Sequence, residues 1–413
     1  MAIATAAILC SHPAASHDLA CFRYDPANSG CSPSNTKKPQ RPVTVPSLAK
    51  SIVWQVPPVR LASRSQLVIH NACIYVPSWD GLRKLDARTG EEIWFFTPPP
   101  APGKTFRVGT TVKGTDGKPK RVWKEQPNSI RGSIAISKGR VYCFSAGGLH
   151  CLEAGTGKLL WTNEYKEIFQ QQPAIDEQSL YLASDMYVSA PENKRQFPQT
   201  YAAAIDLANG KIRWKAAVAP SGHNAIPAKE KDTVFFSELD GVRALNSISG
   251  KELWFRKTSG IGEDWPVTGA GKLFVVRDGK LQAFDTKTGK ECWMVHDPKM
   301  SFSAPAVEGA VVYATAGGTI YAFDASSGKK KWNREYARVY GIATAPTIVG
   351  QLLLLPYNEV LYAINKHTGN MVWQLKLERL QINPLTSDGR LLFVMAKQGL
   401  LAINLDGAGS MKP

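Results

Sequence analysis

Residues 283–293 read Ala-Phe-Asp-Thr-Lys-Thr-Gly-Lys-Glu-Cys-Trp, and this pattern recurs along most of the 413-residue chain. Each copy has an apolar residue before Asp, Glu or Asn, then Gly four residues later and Trp eight residues later. An eighth copy begins at Ile403-Asn404 and stops before any Trp, while Trp54 precedes the first copy. A last repeat that is completed by the first segment predicts a closed ring. The seven complete copies end at Trp94, Trp161, Trp214, Trp254, Trp293, Trp332 and Trp373.

The spacing of these tryptophans identifies the repeating unit. Successive intervals from Trp54 are 40, 67, 53, 40, 39, 39 and 41 residues, so two of them contain insertions. Units of about 40 residues with short β-branched strands and Gly turns are typical of four-stranded propeller blades. We predict an all-β protein: an eight-bladed β-propeller of four-stranded antiparallel blades over 49–406, closed by an N-terminal strand that completes the C-terminal blade. Residues 1–48 are predicted to be a leader and flexible basic linker, and 407–413 a tail.

The repeated residues are predicted to be structural. All eight docking tryptophans, Trp54 included, occupy one position per unit, where each ring can pack between blades and contribute about 3 kcal/mol. Glycine pairs such as Gly147-Gly148 are expected to form the turns between second and third strands. Counting outward from that turn places Cys143 opposite Leu152 and Cys151 opposite Phe144. The two thiols are therefore expected on opposite faces of the sheet, without a disulfide.

The repeat resembles the tryptophan-docking motif of the pyrroloquinoline-quinone (PQQ)-like β-propellers, over about residues 50–405. That superfamily includes the quinoprotein alcohol dehydrogenases and the propeller lipoprotein of the bacterial outer-membrane β-barrel assembly machine, both eight-bladed. Resemblance to the dehydrogenases implies adjacent cysteines over the cofactor, a calcium bound by Glu and Asn, and an Asp base. This chain has no Cys-Cys pair, and its seven histidines lack metal-ligand spacing. We therefore expect no enzymatic activity, no PQQ and no calcium, with a PQQ-dependent or other periplasmic oxidoreductase as the alternative.

Strand alternation predicts where a partner binds. Links between blades and turns between second and third strands fall on one face of the ring, together with insertions at about 97–128 and 185–200. Three tryptophans outside the motif map to this face. Exposed Trp is a common hot spot for binding. The alternative is that each of the three packs under a loop or against a neighbouring blade. Residues 97–131 have eight Lys and Arg against two acidic residues. The predicted partner-binding residues are Trp79, Lys104, Arg107, Lys120, Arg121, Trp123, Lys124 and Trp265.

Net charge and the N-terminal sequence bear on partner and location. A formal charge of +16 favours a protein partner with an acidic surface, or an anionic polymer such as a glycan or nucleic acid that binds the basic insertion. The alternative is that the surface lysines only keep the protein soluble. No segment approaches the roughly 18 apolar residues of a membrane span. Residues 21–33 resemble the leader of exported bacterial propellers. We expect a non-catalytic protein-protein interaction scaffold of the periplasm or cell envelope, the alternative location being within a larger intracellular complex.

Overall fold

The computed structural model describes residues 19–20, 52–57, 66–99, 106–113, 119–126, 129–165, 173–183, 200–219, 227–238, 240–258, 265–297, 300–336, 345–357, 359–378 and 385–405. This part of the chain consists of 35 strands joined by turns, without helices. The strands form eight antiparallel blade sheets and one separate two-stranded hairpin. Within these residues no helix has the length and apolar character needed to span a membrane. The all-β, eight-bladed prediction is confirmed.

The first four blades follow in chain order after two strands from the N-terminal region. Those two strands are β1 (Leu19–Ala20) and β2 (Ile52–Val56). Blade 1 contains β3 (Val68–His70), β4 (Cys73–Ser78), β5 (Gly81–Asp86) and β6 (Glu92–Phe96). The separate hairpin consists of β7 (Phe106–Lys113) and β8 (Pro119–Gln126). Blade 2 contains β9 (Arg131–Ser137), β10 (Arg140–Ser145), β11 (Gly148–Glu153) and β12 (Leu159–Asn163). Blade 3 contains β13 (Ala174–Ile175), β14 (Ser179–Ala183), β15 (Thr200–Asp206) and β16 (Ile212–Val218). Blade 4 contains β17 (Ala228–Glu230), β18 (Thr233–Glu238), β19 (Gly241–Asn246) and β20 (Glu252–Lys257).

The remaining blades repeat this order, and the last one contains only three strands from the C-terminal region. Blade 5 contains β21 (Val267–Gly269), β22 (Lys272–Arg277), β23 (Lys280–Asp285) and β24 (Glu291–Val295). Blade 6 contains β25 (Ala306–Glu308), β26 (Val311–Ala316), β27 (Thr319–Asp324) and β28 (Lys330–Glu335). Blade 7 contains β29 (Thr347–Val349), β30 (Leu352–Tyr357), β31 (Val360–Asn365) and β32 (Met371–Lys376). Blade 8 contains β33 (Leu385–Ser387), β34 (Leu391–Ala396) and β35 (Gly399–Asn404).

The ring is closed, as the missing eighth Trp predicted. Strand β2 pairs antiparallel with β35, with Ile52 opposite Ile403 and Val56 opposite Leu400, and supplies the fourth strand of blade 8. The first strands of the eight blades contact one another in an unbroken cycle that returns from β33 to β3. These first strands therefore line the centre of the ring, and the fourth strands form its rim.

Blade 2 has an additional strand that the sequence pattern did not predict. Leu19 pairs with Ser137 and Ala20 with Ile136, so β1 extends this sheet at its central edge. Strand β9 has seven residues, whereas the other first strands have two or three. A two-residue pairing has no periodicity to detect, which explains why sequence analysis missed it.

Each docking tryptophan joins its blade to the next one. Trp54 Nε1 donates to the carbonyl of Ala87, 2.9 Å away, and its ring lies so close to Gly90 that an added Cβ would approach within 2.7 Å. Trp161 is an exception: its Nε1 has no partner among the described residues, and the Tyr142 hydroxyl donates to the corresponding Leu207 carbonyl at 3.0 Å. The Nε1 bond recurs from Trp94 to Ala154 (3.2 Å), Trp214 to Ser247 (2.8 Å), Trp254 to Thr286 (3.0 Å) and Trp293 to Ala325 (3.0 Å).

The expected pairing register of β10 and β11 was wrong by two residues. Ser145 pairs with Gly148, so Cys143 lies opposite His150 and Cys151 opposite Tyr142. Gly148 begins β11 instead of ending the turn. Glycine is required there, because a Cβ would lie 2.1 Å from the Asn163 carbonyl oxygen on the neighbouring strand. The two thiols are nevertheless free and lie in the separate cores on either side of blade 2.

Candidate functional site

One face of the ring carries both the interblade links and the turns between second and third strands. Hydrogen bonds hold the two kinds of connection together: Ile130 N donates to the Ser78 carbonyl (2.9 Å), and Phe302 N donates to the Gly279 carbonyl (3.0 Å). We call this side the insertion face, because the two longest connections, 97–130 and 184–199, belong to it. Residues 184–199, the second insertion, lie outside the described residues.

The first insertion is a hairpin, as its sequence predicted. Phe106 pairs with Gln126 and Gly109 with Trp123, and the two strands form a sheet of their own. The structure places the backbone of Arg107, Lys120, Arg121, Trp123 and Lys124 in this hairpin. Their side chains, and Lys104 altogether, lie outside what the structure describes, so their partner-binding role stays a prediction.

Trp79 and Trp265 both lie on the insertion face. Trp79 occupies the turn between β4 and β5, and Trp265 lies two residues before the start of β21. Both side chains are half-buried. Strand alternation therefore placed these two residues on the correct side, in blades 1 and 5, although their contact with a partner is untested.

Blade 1 has an ordered arginine–phenylalanine pair beside Trp79. The Arg83 guanidinium stacks on Phe95, with Cζ 4.3 Å from the ring centroid, while 40% of Phe95 stays exposed. Arg83 also donates to both oxygens of Asp80 at 2.8 and 2.6 Å and to Ser78 Oγ at 2.8 Å. The hydrogen bonds from Arg83 lower the pKa of Asp80 to about 2. An exposed aromatic ring is thus held in place by a charge pair.

Blade 4 repeats this arrangement with a more buried carboxylate. Arg243 stacks on Phe255, 4.4 Å from the ring centroid, and donates to Glu238 and Glu252. Glu238 is 2% exposed, and burial raises the pKa of its carboxyl although the bonds from Arg243 oppose this rise. Arg277 of blade 5 donates to the Glu238 carbonyl at 2.7 Å. Glu238 and Arg277 join blades 4 and 5 and are too buried to meet a partner directly.

Sequence analysis missed both arginine–phenylalanine pairs, although a signal exists for them. In each case an arginine follows the turn glycine by two residues, and a phenylalanine directly follows the docking Trp of the same repeat. The segments are Gly81-Leu82-Arg83 with Trp94-Phe95, and Gly241-Val242-Arg243 with Trp254-Phe255. Only these two repeats combine the two features.

His150 occupies the corresponding position in blade 2 and is fully buried. Its Nε2 lies 2.6 Å from Ser145 Oγ and its Nδ1 lies 2.9 Å from Thr162 Oγ1. The Phe96 ring lies edge-on, 5.8 Å from the imidazole. Burial lowers the pKa of His150 from 6.5 to about 4. The serine–histidine contact is enclosed in the interior and supports the fold, not nucleophilic catalysis.

Acid should therefore destabilise the ring through His150. The unfolded histidine takes up a proton near pH 6.5, whereas the folded one stays neutral until about pH 4. We expect the free energy of unfolding to fall by up to about 3 kcal/mol from this residue as pH drops through that window, and no contribution above it. Urea denaturation between pH 4 and 7.5 tests this, with His150→Gln as the comparison. Equal slopes for the two proteins would contradict the assignment.

The described residues contain neither the adjacent cysteines that the quinoprotein resemblance implies nor a cluster of histidine, cysteine and acidic side chains that could hold a metal ion. No three His, Cys, Asp or Glu side chains converge in the part of the chain that the structure covers. The two cysteines closest in sequence, Cys143 and Cys151, lie in different cores instead of forming a pair over a cofactor. We therefore derive no chemical step through PQQ or calcium.

Three comparisons relate this ring to known proteins. The structure of BamB from Moraxella catarrhalis superposes with a TM-score of 0.60 at 17% identity, covering 85% of this chain and 99% of that one. The computationally designed Ika8 protein gives 0.61 at 12% identity, covering 86% and 100%. The quinohemoprotein alcohol dehydrogenase from Comamonas testosteroni gives 0.60 at 12% identity, covering 92% and 77%. At these identities the likeness establishes the fold alone.

Sequence comparison defines the family more narrowly. A curated relative, the dehydrogenase subunit of the quinone alcohol dehydrogenase from Komagataeibacter europaeus, is 22% identical over 204 residues. That match spans 48% of this chain and only 24% of the relative. The family model for outer membrane protein assembly factor BamB, built on PQQ-type repeats, matches residues 79–260, 198–339 and 238–378. Because these matches together cover well over half of the chain, the protein belongs to the BamB family of PQQ-like repeat propellers.

Proposed function

We propose that this protein is a non-catalytic scaffold of the bacterial cell envelope that binds a protein partner through its insertion face. The observation that carries the proposal is the independence of the β7–β8 hairpin. All eight blades are complete without it, and within the described residues it pairs with no blade strand. A hairpin that the fold does not need is available for recognition.

The chemistry around the hairpin indicates the kind of partner. Residues 97–131 have a net charge of +6, which attracts a protein with an acidic surface and speeds their encounter. Phe95, exposed and held by Arg83, lies at the end of the strand from which the insertion departs. Aromatic and arginine side chains are the residue types that most often dominate binding energy. A basic insertion and an exposed aromatic ring in the same blade connection both suit an acidic protein partner.

Family membership supports the location and the absence of catalysis. The family is described as an outer membrane protein assembly factor, which agrees with export to the envelope. An oxidoreductase is the second candidate, supported by the match to the quinone alcohol dehydrogenase subunit. Adding PQQ and calcium and assaying dye-linked alcohol oxidation separates the two, because saturable turnover would favour the oxidoreductase.

Partner capture tests the scaffold proposal directly. Purified envelope extract is passed over immobilised full-length protein, over a variant with residues 104–128 replaced by a short Gly-Ser loop, and over Lys120→Glu/Arg121→Glu/Lys124→Glu. We expect the captured protein to bind both variants at least tenfold more weakly, because the attraction to an acidic surface is lost or reversed.

A matched control separates location from net charge. The variant Lys257→Glu/Lys330→Glu/Lys376→Glu reverses three exposed lysines on the rim, away from the hairpin. It should retain the partner. Capture that survives the loop replacement, or that falls equally in the rim variant, would show that the hairpin is not the binding site.

A further inference from the structure

The positive charge of the ring is concentrated on one sector of its rim. The rim of each blade comprises the motif turn and the fourth strand. In blades 3 to 7 these segments contain 14 Lys and Arg against six Asp and Glu, a net charge of +8. In blades 8, 1 and 2 the equivalent segments contain two against four, a net charge of −2. We call the first sector the basic rim; its segments are 206–218, 246–257, 285–295, 324–335 and 365–376.

The cations of the basic rim face solvent. Thirteen of the 14 are exposed; Lys366 is buried and paired with Glu308. Lys331 is paired with Asp324 at 3.7 Å. Eight lysines of the basic rim have no described carboxylate within 4 Å: Lys211, Lys251, Lys257, Lys287, Lys290, Lys329, Lys330 and Lys376. If these lysines served only solubility, we would expect a similar net charge on the rims of all eight blades, but blades 8, 1 and 2 have a net negative charge.

The arrangement of these charges restricts the shape of a ligand that satisfies them. The five blades form a convex arc, so a flat membrane or a rigid globular partner touches one or two of them at a time. A flexible polyanion can follow the arc and neutralise charges on every blade, with release of counterions as the main driving force.

The rim also lacks what single-stranded nucleic acid needs. Bases bind to proteins largely by stacking on exposed aromatic rings. The docking tryptophans of blades 3, 4, 5 and 7 are at most 9% exposed, and Trp332 of blade 6 and Phe255 of blade 4 are half-buried. The exposed large apolar residues of this sector are aliphatic: Ile212, Ile248, Leu253, Met294 and Met371.

We infer that the basic rim of blades 3 to 7 binds an acidic polysaccharide. The basic rim is on the outer edge of blades 3 to 7, whereas the hairpin departs from blade 1, so the inference does not rest on the proposed protein partner. It gives the protein a second surface, with which it can associate with an anionic glycan layer while the insertion face remains accessible.

Salt-dependent binding of a defined polymer tests the inference. Fluorescein-labelled polygalacturonate is titrated with the full-length protein between 25 and 200 mM salt and followed by anisotropy. We expect Lys257→Gln/Lys330→Gln/Lys376→Gln to weaken binding roughly tenfold at 100 mM salt. The slope of log K against log salt should fall by about 2, at 0.7–0.9 per cation removed. Unchanged thermal melting verifies that this variant is folded.

The control variant has the same net charge as the rim variant. Arg88→Gln/Lys138→Gln/Lys158→Gln removes three exposed cations from blades 1 and 2. It should change the affinity less than twofold. Equal weakening in both variants would show that total charge alone matters and would overturn the inference. So would a lack of binding at 50 mM salt.

Two other polyanions complete the experiment. We expect oligo(dT) of matched charge and vesicles containing 30% anionic lipid to bind more weakly than polygalacturonate. If either binds more tightly, and the rim variant abolishes that binding, the rim recognises nucleic acid or membrane and the polysaccharide assignment is wrong.

Discussion

A chain that begins at residue 61 should fail to form a stable ring. A chain that begins at residue 46 should have a free energy of unfolding within about 1 kcal/mol of that of the full-length protein. Only the first truncation removes β2, which pairs with β35 over 52–56. It also removes Trp54, which donates to Ala87 and contacts Phe393 with ring centroids 5.8 Å apart. Loss of a packed Trp alone costs about 3–5 kcal/mol, a large part of the 5–15 kcal/mol that stabilises most domains.

Urea denaturation monitored by tryptophan fluorescence measures this effect. Trp54→Ala in the full-length chain isolates the docking contribution, and we expect a loss of about 3–5 kcal/mol. The truncation at residue 46 also removes β1, so any difference from the full-length protein reports how much that short pairing contributes. If both truncations match the full-length protein, closure by β2 does not stabilise the ring.

The second large effect is expected from Gly157→Ala. Gly157 has φ +73°, and an added Cβ would lie 2.7 Å from Cδ2 of Trp94, the docking residue of blade 1. Alanine with positive φ costs about 1 kcal/mol, and forcing the indole away from its position adds about 1–3 kcal/mol. We expect the substitution to destabilise the protein by about 2–4 kcal/mol.

Gly139→Ala provides a matched control in the same blade. Gly139 has nearly the same backbone conformation, with φ +71°, but an added Cβ would meet nothing within 4 Å. It should therefore lose only about 1 kcal/mol from backbone strain. Chemical denaturation of both variants gives the difference. Equal losses would show that backbone conformation, and not contact with the indole, is the reason for glycine four residues after the Asp, Glu or Asn of the seven complete repeats, which is the position of Gly157.

The ring itself was predictable because the same information occurs many times in one chain. A single Asp-to-Trp spacing is weak evidence, but seven equal spacings and one displaced Trp leave a closed eight-unit ring as the consistent solution. Turn register was less predictable. A glycine beside a turn suits either the turn or the start of the next strand. Gly148 is at the start of the strand, where the Asn163 carbonyl of the outer strand leaves no room for a Cβ.

The insertion face was predictable only in outline. Alternation of connections placed Trp79 and Trp265 correctly, since it depends on the number of strands and not on their register. The Arg83–Phe95 pair depends on register. Uninterrupted counting from the Leu85–Glu92 pair would put Arg83 opposite Trp94, but a β-bulge between Lys84 and Leu85 moves it opposite Phe95. The amino-acid composition of a repeat does not reveal such a bulge.

The pairing of β2 with β35 has a consequence for synthesis. Ile52 leaves the ribosome early, yet its partner Ile403 is made about 350 residues later, which takes roughly 20–70 s at 5–20 residues per second. During that time the apolar segment Ile-Val-Trp-Gln-Val has no sheet to join, and contacts of such high sequence separation form slowly. We therefore expect this segment to stay unpaired until the C-terminal region is made. A product that terminates before residue 400 lacks the partner strand of β2, so we expect it to be unable to close the ring.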